Sequence, residues 1–244
     1  MQQLPEAVVF NFGIPEVIIM SWFAIFLMFL ISIIVVIKLK KTPSGLQNLF
    51  EAYFDFIINL IDSVMGKDGK NYYPLFIGLF LYIFISNLLG LIPGLISPTS
   101  NLNTVVALAL IVFFSTHLVG IHKYGLLKYF KHFTGDVPVF LKPFMFIIEI
   151  ISQLARPLSL SFRLFGNMVA KEILLAVLCS LIIIFFPSSN IMQKILTIAP
   201  VVLLPFIYLL GALVVFIQAF VFTILSIFYI NGAIQIHEEK DKHE

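Results

Sequence analysis

Charge is scarce in this sequence. Charged residues make up 11% of the 244 residues and hydrophobic residues 60%, whereas a soluble domain carries about 25% charged and roughly 45–50% apolar residues. The mean hydropathy is +1.06. This composition excludes an ordinary soluble domain and indicates an integral membrane protein. The net charge of +2 gives no reason to expect nucleic acid as a partner.

Several other features are missing. Cys179 is the one cysteine in the sequence, so an internal disulfide is impossible, and we interpret it as helix packing. Met1–Gly13 contains no Lys or Arg, which argues against a cleavable signal peptide. The histidines have no metal-site spacing, and the sequence lacks a glycine-rich phosphate loop. We therefore expect no metal, cofactor or nucleotide on this chain.

Long hydrophobic runs account for most of the sequence. Residues 17–37 are enough to cross a hydrocarbon core of about 30 Å as a helix. Residues 44–65 repeat apolar side chains at i, i+3 and i+4, which predicts an amphipathic helix lying in the membrane interface. Two more spans are predicted at 74–92 and 104–119, followed by a basic connection over 120–142.

The last hundred residues contain two longer runs, 143–186 and 191–236. As a straight helix, each would be about twice the thickness of the bilayer core. Each run is either two broken spans or one strongly tilted helix. Because charges lie inside the first run, we favour a tilted two-helix hairpin that turns at 187–190. The predicted fold is an all-α polytopic membrane protein with a single membrane domain over residues 1–244.

The basic residues predict the orientation. Eleven of the 15 lysines and arginines fall on one side of this arrangement. Lys194 falls on the other side, and Arg156, Arg163 and Lys171 lie inside the membrane. Basic residues collect on the cytoplasmic side, so the N-terminus is expected outside and the C-terminus in the cytoplasm.

A polar stripe runs along the first long segment. At about 100° per residue, seven polar residues fall within a sector of roughly 100°: Glu149, Ser152, Gln153, Arg156, Arg163, Asn167 and Lys171. Ser159, Gly166 and Ala170 form a neighbouring sector where another surface can approach closely. A charged group in the membrane costs about 2.5–3.5 kcal/mol, so such groups usually face a water-filled path or a charged partner.

A structural interpretation of some of these charges stays open. Glu149, Arg156 and Lys171 can pair with one another or extend to lipid headgroups. Arg163 has no carboxylate one turn away, which favours a functional role. Glu172 points away from the stripe but can still line a cavity between helices.

The segment from Ser159 to Met168 reads Ser-Leu-Ser-Phe-Arg-Leu-Phe-Gly-Asn-Met. It resembles the signature of the a subunit of F-type ATP synthases, in which a serine precedes Arg-Leu-Phe-Gly-Asn. The resemblance covers essentially the whole chain, including the order of the spans. The supporting matches are Asn101-Leu-Asn103 before the span at 104–119, Glu149 fourteen residues before Arg163, and Gln218-Ala-Phe in the last helix.

The resemblance implies a non-catalytic stator subunit. Such a subunit moves an ion, expected to be the proton, through two offset half-channels to and from a carboxylate on a rotating ring of c subunits. The head of the complex makes ATP. The implied partners are the c-ring, the b subunits of the peripheral stalk, the rest of the complex and the lipid bilayer. The choice between H⁺ and Na⁺ lies largely with the ring, which is another chain.

The resemblance also implies roles for single residues. Arg163 faces the ring carboxylate, and Gln218 lies near it from the final helix. Glu172, Asn167 and Ser159 line the polar channel. Four further residues match positions that the family places at or near the channel opening on the side away from the motor head: Glu149, Ser152, Asn101 and Asn103. A bacterial plasma membrane is expected, because the N-terminus does not resemble an Arg- and Ser-rich transit peptide.

Two departures from the family pattern involve Lys171 and Gly211. The residue just before Glu172 is often Gly in the family, and the residue seven before Gln218 is His in some members. This suggests that size and charge are exchanged between the two positions. In this interpretation, Lys171 fills the space beside Gly211 and supplies the titratable group of the outer channel. A lysine that extends to headgroups is the alternative.

Two other classes of protein have to be weighed. A self-contained ion-coupled secondary transporter often shows inverted repeats and broken helices at midplane, and no repeat is evident here. A membrane-embedded hydrolase needs a nucleophile and a base, but Ser159 and Ser161 lack a histidine at a plausible depth. Ion flux that depends strictly on an added c-ring would distinguish the stator subunit from both.

Overall fold

The chain folds almost entirely into α-helices. The structure is a computed structural model that describes residues 15–37, 39, 45–92, 94–126, 129, 138, 140–187 and 191–235. The helices are α1 (Glu16–Ile37), α2 (Leu46–Met65), α3 (Tyr73–Leu89), α4 (Leu102–Tyr124), α5 (Lys142–Phe185) and α6 (Ile191–Gln235). No β-strand occurs within these ranges. The all-α prediction is confirmed.

Five helical segments of the described chain are long and apolar enough to cross a membrane. One of them is the continuous stretch Gln47–Leu89, in which a 3₁₀ turn at Gly66–Tyr72 joins α2 to α3. The polytopic character that the sequence predicts is confirmed. Residues 1–13, residue 44 at the start of the predicted interfacial helix, and 188–190 in the predicted hairpin turn lie outside the described residues.

The helix α4 is longer than the span predicted at 104–119. It continues to Tyr124, so the prediction that the connection begins at Gly120 was wrong by five residues. The helix ends where Gly125 adopts a positive φ of 78°, and the Gly125 N–H donates to the Ile121 carbonyl at 2.8 Å. Such a glycine satisfies a last-turn carbonyl and ends a helix at low steric cost. Most of the rest of the connection lies outside the described residues.

Each of the two long runs is one helix. The helix α5 has 44 residues and contains Pro157, and α6 has 45 residues and contains Pro200 and Pro205. A proline removes one backbone hydrogen bond from a helix, and Ser161 Oγ donates to the Pro157 carbonyl at 2.7 Å. The carbonyl that Pro157 leaves without its helical partner is that of Gln153, four residues earlier, and not the one that Ser161 contacts. Membrane helices tolerate prolines where neighbouring groups satisfy such freed carbonyls.

The chain divides into two compact units. Unit 1 contains α1 up to Ile34, Leu81–Asn101 and Leu164–Phe220; unit 2 contains Val35–Phe80, Leu102–Arg163 and α6 from Val221 onward. The division falls inside α1, α3, α5 and α6, so each of these helices contributes to both units. The functional side chains are therefore divided between the two units as well.

In unit 1, α1 packs against α3. Ala24, Ile85 and Leu89 form a buried cluster, with Leu27 and Tyr82 among the partly buried residues around it. In unit 2, α2 packs through Ile57 and Ile61, both fully buried. The Tyr53 hydroxyl donates to the Ile77 carbonyl at 2.6 Å, and Asn231 Nδ2 donates to the Val64 carbonyl at 3.0 Å. The amphipathic helix α2 thus buries part of its surface against α3 and α6.

Candidate functional site

Lys171 is buried inside unit 1, with 8% of its surface exposed. Its Nζ lies 3.5 Å from the Asn87 main-chain carbonyl oxygen and 3.7 Å from Met168 Sδ. Its stem runs past Gly211, where an added Cβ would lie 3.5 Å from Lys171 Cδ and 2.9 Å from Leu91 Cδ2. Lys171 therefore fills space that a side chain at position 211 would need.

Glu172 is half-buried beside the turn that follows α3. Its carboxyl group interacts with the Ser100 side chain and with the Ser97 backbone. Its Oε1 atom is buried and has no partner among the described residues. A buried carboxyl oxygen without a partner is energetically costly. Glu172 therefore lies beside polar groups of the α3–α4 connection.

A small polar cluster surrounds these two residues in unit 1. Ser97 Oγ donates to the Ser86 carbonyl at 2.9 Å and contacts Thr99 Oγ1 at 2.7 Å. Thr99 Oγ1 also contacts the Asn87 side-chain amide. All four residues are fully buried. Sequence reasoning missed this cluster, although the polar pair Ser86–Asn87 inside an apolar span was a usable signal.

An amide pair joins α5 to α6 in unit 1. Asn167 Nδ2 donates to Gln218 Oε1 at 2.6 Å. Gln218 is 3% exposed, and its Nε2 is buried without a partner among the described residues. Gln218 thus makes an amide hydrogen bond between the two long helices.

Arg163 and Ser159 lie on an exposed part of α5 that belongs to unit 2. Further along the same helix, Gly166 and Ala170 are exposed in unit 1, and a Cβ added at Gly166 would meet nothing within 4 Å. The small residues thus leave an open surface on α5 near the arginine.

The polar stripe of α5 is not uniform. Lys171 is buried, Gln153 and Arg156 are half-buried, and Arg163 and Asn167 are exposed. The residues of the predicted sector therefore do not share one environment.

A mostly apolar pocket with a few polar side chains lies in unit 2. Its lining includes Gln153 and Arg156 from α5, Thr116 from α4 and Tyr229 from α6. The Arg156 guanidinium carbon lies 5.4 Å from the centre of the Tyr229 ring, a cation–π distance. Gln153 Nε2 donates to Glu149 Oε1 at 2.7 Å. Glu149 and Arg156 have these partners rather than an ion pair with each other.

The remaining predicted residues are divided between the units. Asn101 belongs to unit 1 and is half-buried, whereas Asn103 and Ser152 belong to unit 2 and are exposed. The structure does not bring the four predicted channel-opening residues together within one unit.

His117 in unit 2 contacts Tyr129 and Phe113. Its Nδ1 lies 2.7 Å from the Tyr129 hydroxyl, and its ring meets Phe113 edge-on at 4.3 Å. Tyr129 is 2% exposed, and burial raises the pKa of its phenol above the ordinary value. Within the described ranges, no group of three His, Cys, Asp or Glu side chains is placed to hold a metal ion.

Comparison with known proteins supplies the family. The profile of the family described as ATP synthase A chain matches residues 18–231. The chain belongs to this family. An ATP synthase subunit a from Geobacter sulfurreducens is 44% identical over 220 residues, which cover 90% of this chain and 88% of that protein. Subunit a 1 from Syntrophotalea carbinolica is 46% identical over 215 residues, covering 88% and 84% of the two chains.

Family membership confirms the resemblance carried by Ser159–Met168. It implies a membrane subunit of an F-type ATP synthase that takes part in proton translocation. The relatives are bacterial, and the five apolar helical segments agree with a multi-pass bacterial membrane protein. The family and the fold are thereby established, whereas the roles of single residues need their own argument.

Proposed function

We propose that this chain carries protons through two offset half-channels to and from a carboxylate on a rotating c-ring, and so couples proton flow to ATP synthesis. The observation that carries the proposal is an exposed arginine within a family motif, on a helix face bordered by small residues. Arg163 is exposed, as are Ser159 and Gly166 on the same helix. Small side chains let a second helical surface approach closely.

Arginine suits this place for an electrostatic reason. A ring carboxylate in lipid is neutral, because desolvation raises its pKa, and it has to release its proton near the stator. At about 4 Å and an effective dielectric near 20, attraction to a guanidinium is worth about 4 kcal/mol, or roughly three pKa units. Arginine side chains in general keep their charge in proteins and so do not relay protons. Arg163 therefore blocks a direct leak between the half-channels.

The polar cluster of unit 1 is proposed to line the outer half-channel. In or beside this cluster, Ser86 Oγ, Glu172 Oε1 and Gln218 Nε2 are buried without a partner among the described residues. Water in a channel can satisfy such atoms. The cluster adjoins the α3–α4 connection, which is on the outer side in the proposed orientation, with the N-terminus outside and the C-terminus in the cytoplasm.

Lys171 is proposed as the titratable group of this outer channel. Its burial and its contact with the space beside Gly211 support the exchange of size and charge. Glu172, Asn167 and Gln218 are proposed as further channel lining in unit 1. The remaining proposed channel residues are Ser159, Glu149, Ser152, Asn101 and Asn103.

The proposal extends to the partners. The c-ring meets the exposed face of α5, and the b subunits of the peripheral stalk hold the chain still while the ring turns. Residues 1–244 form one membrane domain in this proposal, with α5 and α6 as the tilted hairpin against the ring. The chain itself performs no covalent chemistry.

The test is passive and coupled proton transport in reconstituted membrane sectors and whole complexes. The variant Arg163→Ala is expected to lose ATP synthesis yet still pass protons passively, because the electrostatic gate is gone. Arg156→Ala is the matched control, since it removes another intramembrane arginine of the same helix. Intact synthesis in Arg163→Ala would contradict the ring-facing assignment. Proton flux that persists without any c-ring would favour the secondary-transporter alternative.

A further inference from the structure

Four buried residues of unit 1 are linked by a row of hydrogen-bond contacts. The protons available for these hydrogen bonds can be counted from the chemistry of the side chains. Ser97 Oγ lies 2.9 Å from the Ser86 carbonyl oxygen and 2.7 Å from Thr99 Oγ1. Thr99 Oγ1 contacts the side-chain amide of Asn87. Each residue is fully buried. The chain of contacts is satisfied only if every contact has one donated proton.

With the Asn87 amide oxygen facing Thr99, the count fails. Carbonyl and amide oxygens only accept, and each hydroxyl group owns one proton. Ser97 gives its proton to the Ser86 carbonyl, and Thr99 gives its own to Asn87 Oδ1. The contact between the two hydroxyl groups is then left without a proton. Asn87 Nδ2 also stays buried without a partner among the described residues, which is unfavourable.

With the amide turned over, every contact is satisfied. Asn87 Nδ2 donates to Thr99 Oγ1, Thr99 donates to Ser97 Oγ, and Ser97 donates to the Ser86 carbonyl. The amide has nearly the same shape in both orientations, so its orientation follows from the hydrogen bonds. Asn87 Nδ2 thereby gains an acceptor. The amide oxygen moves to the position that Nδ2 occupied before, on the side away from Thr99.

The oxygen that is released belongs to a residue already in contact with Lys171. Lys171 Nζ is 3.5 Å from the Asn87 main-chain oxygen and 3.7 Å from Met168 Sδ. Both distances are long for an ammonium group, which has three protons to donate. The single ion pair found among the described residues is Lys123–Asp68, so Lys171 has no carboxylate within salt-bridge distance there.

We propose that Asn87 is a positioning residue for Lys171. Thr99 and Ser97 hold the Asn87 amide so that its NH₂ group faces the hydroxyl chain and its oxygens serve the lysine ammonium. This inference rests on the proposed function, because it takes Lys171 to be the titratable group of the outer half-channel.

Few titratable groups surround Lys171, so an effect of the hydroxyl groups on the pH profile can be assigned to this lysine. Glu172 on α5 is the titratable group that interacts with it. From α3 the contact comes from Asn87, and from α6 the neighbour is Gly211. Gly90, just beyond α3, is close enough that a Cβ added there would lie 3.4 Å from Lys171 Nζ. None of these three groups titrates. A change in the hydroxyl chain should therefore reach proton transport through the Lys171 ammonium.

The experiment measures the pH profile of ATP synthesis by the reconstituted whole complex. Thr99→Val keeps the shape but removes the hydroxyl, so the alkaline limb is expected to move about one pH unit lower. Thr99→Ser restores the hydroxyl and should restore the limb. Thr197→Val is the matched control: this threonine is 4% exposed and donates to the Gln193 carbonyl of its own helix. It should leave the limb in place.

A second variant, Asn87→Asp, tests the proposal independently in case Thr99→Val fails to fold. Asn87→Asp keeps the side-chain shape and places a carboxylate beside the ammonium, so the alkaline limb is expected to move to higher pH. An unmoved limb in both Thr99→Val and Asn87→Asp overturns the proposal.

The same changes in a Lys171→Gly background identify the path of the effect. Because this background has no lysine ammonium to position, Thr99→Val is expected to leave the alkaline limb of its pH profile unchanged. An equal shift in both backgrounds overturns the proposal, because the hydroxyl chain would then act on transport directly. Failure of the proposed function itself would show separately, as coupled synthesis that survives Arg163→Ala.

Discussion

Asn167 donates a hydrogen bond of 2.6 Å to Gln218 and so joins α5 to α6 one turn beyond Arg163. Gln218 is 3% exposed, whereas Asn167 is exposed. Interhelical hydrogen bonds of this kind in membrane proteins average about 0.6 kcal/mol and reach about 1.7 kcal/mol. The bond therefore orients α5 and α6 within unit 1 more than it stabilises the fold.

The first prediction concerns this amide pair. Gln218→Leu is expected to lower coupled ATP synthesis about tenfold, because Asn167 loses its acceptor and misplacing a nearby group by about 1 Å can cost a hundredfold. Thermal unfolding of the purified complex should change little. Gln193→Leu makes the same change on the same helix and should leave synthesis intact. In a double-mutant cycle with Asn167→Leu, strictly additive losses would contradict the pairing.

The second prediction is that Arg163→Lys abolishes ATP synthesis. A desolvated lysine can lose its proton, so it fails both as a permanent counter-charge and as a barrier between half-channels. Synthesis by inverted vesicles, with Arg156→Lys as the control, provides the measurement. Substantial coupled activity in Arg163→Lys would remove the electrostatic role assigned to this residue.

The third prediction tests the exchange between Lys171 and Gly211. Gly211→His alone should impair assembly, since even a Cβ there meets Leu91 Cδ2 at 2.9 Å and Lys171 Cδ at 3.5 Å. Adding Lys171→Gly should restore assembly, because it empties the space that the new ring needs. The amount of intact complex in purified membranes reports both results.

Lys171→Gly by itself should change the pH dependence of synthesis. If the pH profile of this variant matched that of the unchanged chain, Lys171 would not be the titratable group of the outer channel.

The fourth prediction concerns the packing of Tyr129 in unit 2. An added Cβ at Gly120 would lie 2.3 Å from Tyr129 Cε2, so Gly120→Ala has to displace the ring and break its contact with His117. Overpacking of this kind costs about 1–3 kcal/mol, which thermal unfolding can detect. Gly78→Ala is the matched control, because nothing lies within 4 Å of a Cβ there. Equal unfolding temperatures for the two variants would argue against the displacement.

The fifth prediction tests the orientation. In a Cys179→Ser background, Ile92→Cys should react with a membrane-impermeant maleimide added outside, and His122→Cys only with reagent on the cytoplasmic side. Both native side chains are exposed: Ile92 lies in the turn that follows α3, and His122 lies in the last turn of α4. The opposite pattern would reverse the proposed topology.

The sequence by itself determined the helices and the family. A bilayer core of about 30 Å demands long apolar runs whose backbone is hydrogen-bonded internally, so hydropathy alone located the segments that became α1, α3, α5 and α6. The motif around Arg163 needed no tertiary information, because its residues are neighbours in the chain. The end of α4 was misplaced, because histidine and lysine in its last turns suggested a loop although Gly125 sets the end.

Only the tertiary structure decided which polar residues meet. Lys171 and Arg163 fall in one helical sector, yet Lys171 is buried against α3 and α6 while Arg163 is exposed. A helical wheel gives the direction of a side chain but not what lies opposite. The contacts of Lys171 with Asn87 and of Asn167 with Gln218 join residues far apart in sequence. Such pairs depend on how helices pack, which local periodicity does not encode.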